Sequence, residues 1–450
     1  MNRIHKIMTA LCAAVMLLMM LPVIPAAAAE QAVPGDVNGD GVCDVQDVYL
    51  LRDFLLTKEQ TISPAADLDE NGKINACDLT LLKRMLPMPE SITLMMYVSG
   101  ADLESTYYEA TDDIAEMLAA QFTPSVNVVM QTGGTIQWHT DGLTDKGSNR
   151  VLINGDGMKT GRQSSVRDMS RADTLSAFIQ DAAAAFPAEH YALIFWGHGM
   201  GALYGCCFDQ LSRHQLTLPA MQEGIREGGV HFDWIGFDSC LMATAETAFA
   251  LRDYADYMLA SPDTIGRLGW EYTSLISEWA ANPGMDTETL LDSIADKSVS
   301  ANTEYEMPAA ISCLDLSYAA ELMDAVYAEV GAVYTHFQEA GIDAVLSCRS
   351  AMRDYGDDVY DMVDVEEFAK GFDTEHTKKI RSVLKSMVVS NTCYETDTCG
   401  LSFWFFEVHP EDGENLLEEV FAPIGIDSTY IQQMKEMAAA AAPVFVPLPD

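Results

Sequence analysis

A chain of 450 residues has room for two or three domains at roughly 150 residues each. Its composition, 49% hydrophobic and 21% charged, is that of a folded globular protein and excludes wholesale disorder. Acidic residues number 68 against 26 basic ones, a net charge of -42; that field argues against nucleic acid as a partner and attracts cations and basic peptides, although charge excess also serves solubility alone.

The chain opens with a basic start, Arg3, His5 and Lys6, and an apolar run from Ile7 to Ile24. Pro25 and a string of alanines follow, and Ala27-Ala28-Ala29 fits the small-x-small rule of signal peptidase. Residues 1–29 therefore read as a signal peptide, with Glu30 as the new N-terminus. An uncleaved anchor is possible on length. No other segment is apolar enough to span a bilayer, so a secreted, extracellular protein without stable membrane insertion is expected. Cys12 falls in the leader, and the other cysteines are odd in number. At least one thiol is then unpaired, or pairs between molecules.

Two segments repeat next: DVNGDGVCDVQD, Asp36 to Asp47, and DLDENGKINACD, Asp67 to Asp78. The first offers side-chain oxygens from Asp36, Asn38, Asp40, Asp44 and Asp47, and a carbonyl from Val42. The second offers Asp67, Asp69, Asn71, Asn75 and Asp78, with a carbonyl from Lys73. Gly41 and Gly72 stand at the sharp turns. A hard cation needs this many oxygens, so each loop is a calcium site of EF-hand logic, departing from it in ending on Asp rather than Glu. Val48, Leu51 and Leu55 match Leu79, Leu82 and Leu86, an apolar stripe on each following helix. A calcium-stapled spacer without a partner would show the same pattern. Residues 34–88 resemble a type I dockerin. The resemblance implies two bound calcium ions that fold the module, and a helix face that docks on a cohesin module of a scaffold protein. The usual recognition positions carry Val45-Gln46 and Ala76-Cys77, so the two halves differ.

From Ile92 onward, apolar strands alternate with helices. Strands are expected at Ile92–Ser99, Val126–Thr132, Tyr191–Trp196, Phe232–Phe237, Tyr257–Ala260 and Ala309–Leu316, with helices such as Thr174–Ala185 and Met242–Arg252 between them. That alternation predicts an α/β domain with a mainly parallel sheet flanked by helices, whose ligands bind at the carboxyl ends of strands.

Two strand ends carry chemistry. YALIFW runs into Gly197-His198-Gly199-Met200-Gly201, and FDWIGF into Asp238-Ser239-Cys240. If these strands are neighbours, His198 and Cys240 share one edge, and an imidazole beside a thiol makes a nucleophile. The glycines would let a substrate backbone approach. GHGMGA also fits a dinucleotide loop, but ALYGCCFD does not read as the helix that loop requires. His198 with Cys206 and Cys207 could hold zinc, although adjacent cysteines chelate one tetrahedral ion poorly. Cys240 could also be a plain core cysteine.

The blocks YALIFWGHGMG and FDWIGFDSCLMA resemble the His and Cys blocks of the clostripain family of cysteine endopeptidases. SGADLES, VNVVMQTGG with Trp138 after it, and GLSFWFF agree in order, so the resemblance covers residues 92–406. It implies a caspase-like fold and a Cys240–His198 dyad, with backbone amides of Gly199 and Cys240 facing the oxyanion. No third catalytic residue is evident. It also implies cleavage after Arg or Lys, with Asp238 as the pocket carboxylate and Asp263 as a second candidate; Asp238 could instead cap the helix expected from Met242. Self-cleavage between the two blocks is a family habit. Only Arg213 and Arg226 lie there; Arg226 ends a helix, and the stretch around Arg213 has no period, so a loop cut after Arg213 is expected. Residues 407–450 read as an acidic helical extension with an apolar tail, of no assigned role. The rival reading is a non-catalytic caspase-like assembly protein held in a cohesin–dockerin complex.

Overall fold

A computed structural model describes residues 33–57, 61–86, 90–145, 147–161, 167–356, 360–406 and 413–441. The expected signal peptide and the apolar tail lie outside these residues. The chain divides into two compact units, Met1–Pro89 and Glu90–Asp450. No helix among the described residues is long and apolar enough to cross a membrane.

The first unit is built from helices Val45–Thr57 and Ala76–Met85, with a short 3-10 turn at Pro64–Ala66. Val37, Val48, Leu51, Ala66 and Leu82 form its core, and Leu55, Leu79 and Leu86 pack against them. The two repeated stripes thus close on each other. Asn75 caps the second helix by accepting from the Cys77 amide, and Asp78 returns to the Asn75 amide, a capping box.

The second unit carries strands β1 (Ile92–Ser99), β2 (Val126–Gly133), β3 (Asn149–Asn154), β4 (Gly157–Thr160), β5 (His190–Trp196), β6 (Cys206–Asp209), β7 (His214–Leu216), β8 (Phe232–Asp238), β9 (Ala255–Ala260), β10 (Ala309–Asp315), β11 (Asp354–Tyr355), β12 (Met362–Asp364), β13 (Val388–Tyr394) and β14 (Ser402–Trp404). The main sheet has the order β13-β10-β9-β8-β5-β1-β2-β3-β4. Its centre, from β9 to β2, is parallel, and antiparallel pairs close both edges. The parallel strands are buried on both faces, because helices cover both sides of such a sheet. On β1, Met95 and Tyr97 join one core while Ile92, Leu94, Met96 and Val98 join the other. All six expected strands are present. The edge strands β3, β4 and β13 went unread, because half-exposed antiparallel edges lack a continuous apolar run.

Two expectations change. The helix expected from Met242 spans only Ala245–Leu251, capped by Thr244, whose hydroxyl accepts from the Thr247 amide. Residues before it stay extended because Ala243 donates to the Ser261 carbonyl and accepts from the Ser402 amide. Beyond Phe406, helices Gly413–Phe421 and Ser428–Ala441 are no separate extension: Leu417, Phe421, Tyr430 and Met434 belong to the core on one face of the main sheet.

Glu246 lies wholly buried where these parts meet. One oxygen accepts from the Trp404 amide at 2.9 Å, and the other has no partner among the described residues. Burial pushes its carboxyl from 4.5 up to about 7. Folding therefore favours the protonated acid. Its stability contribution is full below pH 4.5 and is lost as pH rises through about 7. Glu246→Gln, which mimics the protonated acid, should match wild type near pH 4.5 and exceed it near pH 8 by on the order of 2 kcal/mol. Urea midpoints at both pH values check this; equal midpoints at the higher pH would show that Glu246 ionises without cost.

Candidate active site

The chain order places β1 at a switch point: β2 lies to one side of it, and β5, β8 and β9 to the other. Crevices open at the carboxyl ends of strands where the order reverses. Val98 pairs with Trp196, and Trp196 with Asp238, so β1, β5 and β8 end level. The segments beyond those ends carry Asp102, His198 and Cys240.

His198 sits between two glycines that the backbone needs. A Cβ at Gly197 would lie 2.7 Å from the Ser99 carbonyl oxygen, and one at Gly199 would lie 2.0 Å from the Cys240 carbonyl oxygen. The glycines were expected to admit a substrate; they admit neighbouring strand ends of the protein itself. The Gly199 and Cys240 amides donate to no backbone carbonyl among the described residues.

His198 Nε2 lies 2.8 Å from Asp102 Oδ1, an interaction the sequence reading missed. Asp102 belongs to the SGADLES block, in a five-residue helix straight after β1. The signal was present: an acid past the end of a strand adjacent to the histidine strand. The carboxylate accepts the Nε2 proton, so Nδ1 is the nitrogen left for proton exchange.

Cys240 is half-buried, and its Sγ accepts from the Ile265 amide at 3.4 Å. Burial pushes the thiol up; the Ile265 amide pulls it back by less than burial raises it, and the fields of Asp238 and then Asp263 add smaller rises. The next residue, Leu241, is buried at φ 63°, a left-handed strain for a branched side chain. It is held by Leu241 N donating to the Asp263 carbonyl at 3.0 Å.

A cavity of about 90 Å³ opens beside His198 and Cys240, lined also by Asp113, Trp196, Asp238, Arg267 and Gly269. Asp238 lies at its wall with its side chain accepting from Tyr272 Oη at 2.8 Å and the Trp270 amide at 3.3 Å. It does not cap the helix after Cys240, which Thr244 does. Asp263 does not line the cavity. Its carboxylate accepts from the Thr264 and Gly356 amides, which makes it part of the turn that supports Cys240.

Arg213 stands exposed at the tip of the β6–β7 hairpin rather than in an unstructured loop. Its φ is 63°, and its amide donates to the Asp209 carbonyl at 2.8 Å. The hairpin also answers the other readings of the glycine cluster. A four-residue helix, Gly201–Tyr204, leads into it, too short for a dinucleotide loop. The Sγ atoms of Cys206 and Cys207 face each other at 3.7 Å in the core, while His198 turns to Asp102. All nine described cysteines carry free thiols.

In the first unit the second loop gathers carboxylates as a hard cation requires. Asp67, Asp69 and Asp78 bring carboxylate oxygens within 4.8 Å of one another. Asp78 is buried and accepts from the Leu68 and Asn75 amides; Asp47 accepts in the same way from Val37 and Asp44. Asp36 accepts from the Gly41 amide at 2.9 Å, and Asp67 from Gly72 at 2.7 Å. Asn38, Asp40, Asp44, Asn71 and Asn75 each accept one loop amide. The Val42 amide donates to Asp40, and the Lys73 carbonyl accepts from the Asn75 side chain. The all-oxygen donor set fits calcium.

Sequence profiles match in two places: the clostripain family over residues 96–403 and the type I dockerin domain over residues 34–87. No curated protein matches the chain. A secreted C11 cysteine protease from Bacteroides thetaiotaomicron, in complex with an irreversible peptide inhibitor, is similar with a TM-score of 0.58 and 17% identity, over 75% of this chain and 98% of that one. An inactive zymogen C11 protease from Parabacteroides distasonis is similar with a TM-score of 0.59 and 18% identity, over 77% of this chain and 99% of that one. At such identities the likeness is one of fold, a large, mostly parallel sheet flanked by helices.

The raised Cys240 thiol means that sulfur ionises less readily here than in a free cysteine. Iodoacetamide should therefore modify Cys240 at a rate that still climbs above about pH 8.5, followed by peptide mass spectrometry. A plateau below about pH 7 would reveal a preformed thiolate.

Proposed function

The chain belongs to the clostripain family of cysteine endopeptidases and carries a type I dockerin domain, and from that premise we propose a secreted enzyme that cuts polypeptides after arginine or lysine while tethered to a scaffold. The observation that carries the reading is the level ending of β1, β5 and β8, with Asp102, His198 and Cys240 just past those ends and an acidic cavity beside them.

In this mechanism the Cys240 thiol passes its proton to His198 Nδ1 as the sulfur attacks the scissile carbonyl. Asp102 holds the imidazole by its Nε2–H and stabilises the cation that forms. The Gly199 and Cys240 amides receive the oxyanion. His198 then protonates the leaving amine, and water hydrolyses the thioester with His198 as base. The substrate's basic side chain enters the cavity and meets Asp238. A thiol that ionises only as substrate arrives suits a secreted enzyme with other thiols nearby, since resting reactivity stays low.

In the first unit, Asp36, Asn38, Asp40, Val42, Asp44 and Asp47 would hold one calcium ion, and Asp67, Asp69, Asn71, Lys73, Asn75 and Asp78 a second. The ions supply folding energy to a small core rather than chemistry. A helix face of the folded module then docks on a cohesin module, which would place the enzyme at an extracellular scaffold or cell surface.

Arg213 is the residue after which the enzyme would cut itself. It is exposed and at a hairpin tip, and β5 and β8, on either side of the cut, pair directly and would keep the fragments together. Wild type should acquire a new N-terminus at His214, and Cys240→Ala should not, as read by intact mass and N-terminal sequencing. The same cut in Cys240→Ala would assign it to another protease.

Specificity is tested with matched fluorogenic amides carrying Arg, Lys or norleucine before the bond. Asp238→Asn should lower kcat/KM on the Arg substrate by roughly 100-fold or more, because a desolvated guanidinium loses its partner, and Cys240→Ala should abolish turnover. Full activity of Asp238→Asn on Arg would move the recognition site elsewhere.

A further inference from the structure

The cavity holds a second buried carboxylate that the mechanism above leaves unused. Asp113 lies on the helix Glu109–Ala119 and lines the same cavity as Asp238. The two residues are 8% and 6% exposed. They come from different elements and are linked through one residue: the Trp196 indole donates to Asp113 Oδ2 at 2.6 Å, and the Trp196 backbone is the register partner of Asp238. Each acid spends only Oδ2 on the protein, Asp113 on that indole and Asp238 on Tyr272 and the Trp270 amide. Neither Oδ1 makes a hydrogen bond among the described residues, and both side chains line the cavity. Glycine at 269 keeps the space beside Asp238 open, since a Cβ there would stand 2.8 Å from both of its oxygens.

The remaining charges do not neutralise the pair. Glu109 and Glu116 on the same helix add negative field, and the cavity's lining cation, Arg267, is engaged by Glu109 at 3.1 Å. Tyr272 donates its hydroxyl to Asp238, and His198 is engaged by Asp102. Two like charges in one dry site resist joint ionisation. Burial and the neighbouring acid push Asp113 well up, and burial pushes Asp238 up to about 7.

We propose that Asp113 is a second specificity carboxylate, which together with Asp238 receives the guanidinium of an arginine substrate between two free oxygens and so selects arginine over lysine. A guanidinium presents several N–H donors in a planar fork and can serve two separate acceptors at once, whereas an ammonium is a compact point charge. Entry of the cation stabilises both carboxylates and expels the proton that the empty pocket retains. Affinity for a cation should then rise with pH until the pair is ionised, and be lost as the pocket is protonated. The inference rests on the reading of Asp238 as the recognition site.

The test uses the full chain, with Asp113→Asn and Asp238→Asn beside wild type. Asparagine keeps an acceptor for the Trp196 indole. For Asp113→Asn, KM on the Arg amide should rise by about 10-fold with kcat changed much less, and the Arg-to-Lys ratio of kcat/KM should fall toward unity. Agmatine, a small guanidinium, should inhibit wild type more tightly as pH rises, by at least about tenfold per pH unit below neutrality, with the rise displaced to lower pH in Asp113→Asn. The wild-type agmatine profile needs no variant, and a flat one overturns the shared-proton pocket. An unchanged Arg-to-Lys ratio in Asp113→Asn, with basic preference lost in Asp238→Asn, overturns the role of Asp113 alone. A wild type that cuts the norleucine amide as well as the Arg amide overturns this inference and the specificity reading beneath it.

Discussion

Val98, Trp196 and Asp238 lie abreast on β1, β5 and β8, and the site depends on that register. A one-residue slip in a strand would turn its side chains to the opposite face. Because the three strands run parallel and end level, three loops leave the sheet side by side. Asp102, His198 and Cys240 are far apart in sequence and adjacent because of this alone. Trp196 does double duty at the same level: its backbone sets the register to Asp238, and its indole draws in the helix that carries Asp113.

The loops that leave the sheet are packed tightly against one another, and glycine makes this possible. No side chain fits at Gly197 against Ser99, or at Gly199 against the Cys240 carbonyl. Leu241 then carries the strain of the turn, in a left-handed conformation fixed by the Asp263 carbonyl and by burial in the core. The strained turn and the rigid strand end before it give Cys240 a defined position with little freedom to relax.

Burial also governs the electrostatics. The same desolvation raises the Cys240 thiol and holds protons on the acids of the cavity. The buried acids and thiol therefore disfavour charge until a counter-charge is supplied. The acidic excess of the whole chain favours the approach of cations. In the first unit the logic is reversed: the loop carboxylates are tied to backbone amides and converge for a cation.

What the sequence determined by itself was everything local. The repeated acidic loops, the matched stripes of Val48, Leu51, Leu79 and Leu82, and the six apolar strands follow from spacing and period within a few residues. His198 and Cys240 were legible because each follows an apolar strand directly. Tertiary structure decided the rest. Asp102 meets His198 across 96 positions, and Asp113 meets Trp196 across 83; an acid on a helix such as EATDDIAEML reads as one more solvated charge until packing buries it. Asp263 looked like a pocket acid by position, yet the turn at Thr264 and the approach of Gly356 claimed its carboxylate. The edge strands and the Arg213 hairpin had weak local signals, since antiparallel edges gain their order from partners rather than from composition. Local pattern singles out His198 and Cys240, while long-range strand order chooses which charges surround them.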